Sequence, residues 1–313
     1  MALDPIIRLR QMALMAAVES AAGTFVLPAA ADALEVGNVT ITPTEGEEVE
    51  YDIVRPHFGA NESVLVTRYR KMAFRVGLAG VGMAGSLPGY AKLLRGCGMA
   101  ATNTPAPDPD PHTLFAPVDD AFESLSLYAV VGRNVYKMPG AAGNVKLEGN
   151  ARQLPWLNFE FTGAWTPVET VGAMPATAPD FQLPLGVNQA NTRVKLGAKH
   201  WPCNAFSIDL GNTVTKQDLT EVDNTEITAR ASTGSITIRN TLASVHDWDA
   251  LIGAKLAFEL VHGQGATNTL TVAAPRAQIG KPTFGEQDGV QMVTLPLKFI
   301  PSPAGNDELT LRV

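Results

Sequence analysis

One pattern occurs twice in this chain and constrains its fold more than anything else in it. From Gly143 to Gly163, GNVKLEGNARQLPWLNFEFTG, the residues Leu157, Phe159 and Phe161 alternate with Asn158, Glu160 and Thr162 behind a polar turn. From Ala277 to Ile300 a degraded copy sets Leu295, Leu297 and Phe299 against Pro296, Lys298 and Ile300, behind the turn-forming Gly285 to Gly289. Period-two alternation puts one side of a strand in a core and the other in solvent, and a Gly/Asn/Asp-rich break before it marks a hairpin. Upstream of each copy lies another alternating strand, Met72/Phe74/Val76/Leu78 in one half and Ile236/Ile238 in the other. Between strand and hairpin, an aromatic is followed by two aliphatics at helical spacing: Tyr90, Leu93 and Leu94, then Trp248, Leu251 and Ile252. That spacing stacks three apolar side chains on one helical face, so each triad is expected to be helix core. The same elements in the same order twice predict a mainly β chain. It is expected to hold two tandem β-sandwich or barrel units, each with one short flanking α-helix.

The boundaries follow from composition. Residues 1–35 are expected to form an N-terminal helix and arm, because the short apolar run Met12 to Val18 follows Arg8 and Arg10. The arrangement imitates a secretory leader, but Gln11 and Glu19 bracket the run too closely for one. Residues 36–165 make the first β domain, 166–204 a linker rich in proline (Pro167, Pro175, Pro179, Pro184), and 205–313 the second β domain. Thr42 to Val49, with Glu45, Glu47 and Glu48, reads either as solvated surface or as an arm reaching a neighbouring subunit. Polar Gln217 to Glu226 holds the matching place in the second half. Asn103 to His112, with Pro105, Pro107, Pro109 and Pro111, excludes helix and central strand and is expected as a stiff exposed connector.

Charged residues make up 18% of the chain, below the roughly 25% of an ordinary soluble domain, which suggests a surface that meets other protein. A net charge of −7 without a Lys/Arg cluster argues against a nucleic-acid reader. Cys97 and Cys203 make no disulfide framework, and no apolar run is long enough for a membrane-spanning helix.

Catalytic patterns fail one by one. His246-Asp247-Trp248-Asp249 lacks further metal ligands and reads as a helix start. Gly280-Lys281 is followed by Pro282, where a phosphate-binding loop needs Ser or Thr. Asp108, Asp110, Asp119 and Asp120 lack the glycine hinge of a calcium loop. Asp119 and Glu123, as a glycosidase-like carboxylate pair, read better as surface. No catalytic residue, metal or cofactor is expected, and the chain reads as structural, not as an enzyme. The alternative is a secreted or surface two-domain β-sandwich binding module.

Leu87 to Ala100 (LPGYAKLLRGCGMA), Ala141 to Pro167, Phe206 to Val214 (FSIDLGNTV) and the stretch from Ala273 to the end resemble the major tail tube proteins of long-tailed bacteriophages. The resemblance covers most of residues 36–313. It implies tail-tube-like β units whose inner sheets join across subunits into a barrel around a channel. Rings would stack head to tail in the virion tail, assembled in the host cytoplasm, and genome DNA would pass during ejection without specific binding. The implied partners are further copies of the chain, a tape-measure protein, and tail terminator and distal tail proteins. The family forms six-fold rings, so a two-unit chain implies trimeric pseudo-six-fold rings, with hexameric rings as the alternative. The long duplicated form favours the non-contractile, siphovirus type of tail. Glu148, Asn158, Glu160 and Thr237 are the expected channel-facing positions.

Overall fold

The computed structural model describes residues 6–83, 85–108, 110–265 and 267–313. The first half runs β1 (Met12–Val18), β2 (Gly37–Glu45), β3 (Glu48–Glu50), β4 (Ser63–Leu65), β5 (Tyr69–Gly77) and α1 (Ala91–Gly96). It continues with β6 (Met99–Thr104), β7 (His112–Pro117), β8 (Leu125–Val131), β9 (Asn134–Asn150), β10 (Trp156–Ala164) and β11 (Glu169–Thr170). The second half holds β12 (Thr192–Leu196), β13 (Lys199–Trp201), β14 (Cys203–Asp209), β15 (Asn212–Leu219), β16 (Val222–Arg230) and β17 (Thr233–Arg239). It ends with β18 (Lys255–Gly263), β19 (Thr269–Ile279), β20 (Thr283–Gln287), β21 (Val290–Phe299) and β22 (Thr310–Arg312).

The alternating strands pair as their pattern demands. An antiparallel sheet runs β2, β5, β10, β9, β14, β17, β21, β20. Within each half, the first, second, fourth and third of these strands in chain order lie side by side, in that order. The halves meet where β9 pairs β14, Leu147 opposite Ile208. One face of this sheet carries Phe74, Leu157, Phe159, Phe161, Leu147, Phe206, Ile236 and Leu295, all buried. Two further ladders cover that face. One is β1, β8, the first part of β9 and β11; the other is β13, β12, β18, β19, β22, β7, β6. Their apolar sides meet the sheet in one core cluster, so β strands dominate the fold. The Pro-rich connector is the turn between β6 and β7; its Pro109, and residues 1–5, lie outside the described residues.

Three expectations need correction. Met12–Val18 is not a helix but the strand β1, paired along its length with β8. Its residues Ala13 to Ala17 are buried, with Leu14 and Ala16 in the main core and Met15 in a second cluster beyond the sheet. A short apolar run has no polar face to show its period, and the ladder settled it as strand. The segment 166–204 is no plain linker: β11, β12 and β13 lie in it, and Val194, Leu196 and Trp201 are core. Its exposed Pro-rich part covers little more than 172–184.

The third correction concerns the second helix. Tyr90, Leu93 and Leu94 are buried at α1, and the Tyr90 hydroxyl donates to the Ala79 carbonyl at 2.7 Å. Trp248, Leu251 and Ile252 instead occupy turns; Trp248 is buried, Leu251 half-buried and Ile252 47% exposed. Asp247 caps the segment by accepting from the Asp249 N–H, but Gly253 follows at φ +84° and donates to Ile279. Only i to i+3 bonds fit between cap and glycine, and one turn is too little to propagate an α-helix. Trp248 still packs on Trp201 and His246, with ring centroids at 4.8 and 4.2 Å. Trp248→Ala is expected to cost about 3 kcal/mol, the low end for a tryptophan because the surrounding turns can collapse. Chemical denaturation measures this.

His262, buried on β18, holds the remaining extended segment. Its Nε2–H donates to the Leu185 carbonyl at 3.1 Å, and its Nδ1 accepts from the Thr192 hydroxyl at 2.8 Å. The neutral ring is therefore satisfied, and burial lowers its pKa despite the bond to Leu185. Because the unfolded chain takes up this proton first, stability is lost as pH falls below about 6.5, the unfolded value. Melting temperature is expected to drop from pH 7 toward pH 5.5, and His262→Gln to flatten that slope; an unchanged slope would exclude His262 as the cause.

Candidate assembly surface

The second face of the eight-stranded sheet is polar. Glu148, Asn158, Glu160 and Thr237 all lie on it, because each alternates with core residues of its own strand. Asn158 donates to Glu148 at 2.9 Å, and Glu148 also pairs Lys146 at 2.6 Å. The hydrogen bond that Lys146 donates to Glu148 raises the lysine's pKa. Thr237 and Thr294 share a hydroxyl bond of 2.8 Å across β17 and β21. Asn144 reaches Asp209 over the β9/β14 joint at 2.8 Å. Glu160 is exposed and borders a hollow with Lys71, Thr162 and Lys216.

Sequence reasoning missed several residues of this face. Arg75 stacks over the Trp156 ring at 4.1 Å, and Lys146, Ser207 and Thr294 complete the rows between the expected positions. Alternation alone could have found each of them once strand neighbours were known. The resulting face mixes Lys71, Arg75, Lys146, Arg239 and Lys298 with Glu45, Glu148, Glu160 and Asp209, so its charges largely balance. The overall −7 is therefore carried elsewhere.

Both ends of this sheet are open. Among the described residues β2 pairs only β5, and β20 pairs only β21. Phe284 on β20 sits opposite core residue Val293 yet is 52% exposed. Leu147 on β9, opposite core residue Leu157, is 5% exposed because β14 runs beside it. An unpaired row of N–H and C=O groups is a template for another strand.

Nothing on this surface gathers reactive groups. Among the described residues no three of His, Cys, Asp and Glu sit together to hold a metal. Asp119 and Glu123 pair with different arginines, Arg230 and Arg95. Burial raises the thiol pKa of Cys97 and pushes that of Cys203 up to about 12, so both are poor nucleophiles.

A sheet with one face in a core, a charge-balanced second face and two open edges defines a structural building block. The family model of phage tail tube proteins matches residues 10–299, and the chain belongs to that family, which makes it a structural component of the virion tail. Membership implies self-assembly into a tube. No curated protein matches the chain.

Proposed function

We propose that this chain is the major tail tube subunit, and that three copies close their sheets into one barrel by pairing β20 of each with β2 of the next. Residues 36–165 and 205–313 are then tandem units, and the ring is trimeric with pseudo-six-fold symmetry. The observation that carries this reading is the β9/β14 joint: the third strand of one half pairs the first strand of the other. The open edges β20 and β2 are likewise a third and a first strand, ready to repeat that joint between chains. Closure removes both edges. With about 24 strands at ~4.8 Å spacing and a tilt near 40°, the barrel is roughly 40–50 Å across.

Its polar face lines the channel, with Glu148, Asn158, Glu160 and Thr237 among the lining residues. Balanced charge there supports a conduit, since DNA is held mainly through cations that release its counterions. Rings stack head to tail as an open, non-closing contact. The tape-measure protein fills the channel before ejection, and terminator and distal tail proteins close the ends of this siphovirus-type tail. Electron microscopy of the concentrated protein tests the reading. Trimeric rings with six-fold modulation are expected; rings of six chains would overturn the tandem reading, and persistent monomers the assembly.

A further inference from the structure

We infer that the hairpin β3/β4 is an assembly arm that seats on the neighbouring copy of this chain, beside that copy's β20 and β21. The inference rests on the ring reading above and adds a second contact to it. Each half carries a hairpin between its first and second sheet strands: β3/β4 in one, β15/β16 in the other. Both leave the sheet through a glycine pressed on the facing strand. A Cβ on Gly46 would lie 2.0 Å from the Thr67 carbonyl oxygen, and one on Gly211 2.1 Å from that of Ala231.

The second arm shows where such a hairpin goes. It crosses the β9/β14 joint and packs on β9 and β10 of the first half. Asn212 donates to the Gly143 carbonyl at 3.0 Å, and Ile227 lies 8% exposed over Gly98. Counted from the glycines, Glu47, Val49 and Val64 of the first arm stand where Asn212, Val214 and Ile227 stand in the second. In the single chain that side has no cover: Val49 is 54% exposed, Tyr51 63% and Val64 57%. By the geometry of the second arm, the first would cross the open β2 edge onto β20 and β21 of the next chain in the ring.

Charge agrees with that seat. Glu47 stands two residues before Val49 on the apolar side of the arm, and Glu45 ends β2 opposite Tyr69 at the arm's base; neither is in an ion pair among the described residues. The corresponding end of β20 and β21 presents Lys281 and Lys298, both exposed and likewise without an ion-pair partner there. Exposed Ile252, next to Gly253 that bonds Ile279, offers an apolar contact at the same end.

The test is a charge exchange read by ring mass in sedimentation. Glu45→Lys with Glu47→Lys, or Lys281→Glu with Lys298→Glu, is expected to weaken ring formation at least about tenfold, because like charges then meet across the contact. All four substitutions in one chain are expected to restore it. Reversals that leave ring formation unchanged, or a four-fold variant that is no better than either pair, overturn the arm's seat. Glu47, Lys281 and Lys298 are exposed and Glu45 is half-buried; circular dichroism and melting check that each variant is folded. Wild-type rings whose assembly ignores the reversals would leave the ring reading standing without the arm, whereas absence of rings in the wild type would remove both.

Discussion

Phe284→Glu is expected to give a chain that folds and melts like the wild type yet stays monomeric where the wild type forms rings. The substitution touches a side chain that is half exposed in the single chain, and such surface changes are usually within about 0.5 kcal/mol. In the proposed closed barrel the same position would face the core, since its opposite residue Val293 is 0% exposed. The strand expected beside it, β2 of the next chain, contributes Val39 and Ile41 to its core side, both only partly buried now. Burying a phenylalanine there contributes about 1.5–3 kcal/mol per joint. A glutamate would instead have to lose its water without a partner, which costs more than the contact supplied. The proposed ring has three such joints, so the effect multiplies. Sedimentation velocity measures the outcome, and full-size rings from the Glu variant would exclude β20 as the joining edge.

How much of this was legible before the fold was known depends on which signal each element carried. The two hairpins ending in Phe161 and Phe299 were readable because alternation survives in both, and β9/β10 and β19 to β21 form where that pattern lies. The shared polar face of Glu148, Asn158, Glu160 and Thr237 was readable for the same reason. What failed did so where period was absent. Met12 to Val18 is apolar on both sides, so its strand was decided by a partner, β8, more than a hundred residues away. Trp248, Leu251 and Ile252 kept helical spacing, but Gly253 ended the segment before a helix could form. Neighbour order was invisible too: nothing local in Leu147 or Ile208 says that β9 pairs β14, and the open edges follow only from that order. Arg70 is the sharpest case, since an arginine at the start of a strand, between Arg68 and Lys71, reads as surface.

Arg70→Ala is expected to cost about 3–5 kcal/mol, more than a surface arginine could. Its side chain is 0% exposed and, among the described residues, no carboxylate pairs it. The guanidinium instead donates to three backbone carbonyls: Pro43 at 3.1 Å, Thr166 at 2.8 Å, and Lys137. Tyr136 lies under it at 5.3 Å, and desolvation lowers its pKa. Removing the side chain takes a donor from the carbonyls of exposed Pro43 and half-buried Thr166, at about 1–3 kcal/mol each wherever water does not replace it; the Thr166 hydroxyl still serves Lys137 at 2.8 Å. Lysine cannot stand in, because its compact ammonium lacks the planar fork that spans carbonyls from three segments. Pro43 belongs to β2, whose ladder with β5 shifts register twice, so Arg70 supplies anchorage that the irregular ladder lacks. Denaturant titration of Arg70→Ala and Arg70→Met separates the terms. Methionine refills the volume but leaves the carbonyls bare, and is expected to recover less than half of the loss. If it recovers nearly all, packing rather than hydrogen bonding holds the edge. Ring formation is expected to weaken in both variants, because the strand proposed to meet the next chain is the one Arg70 fastens.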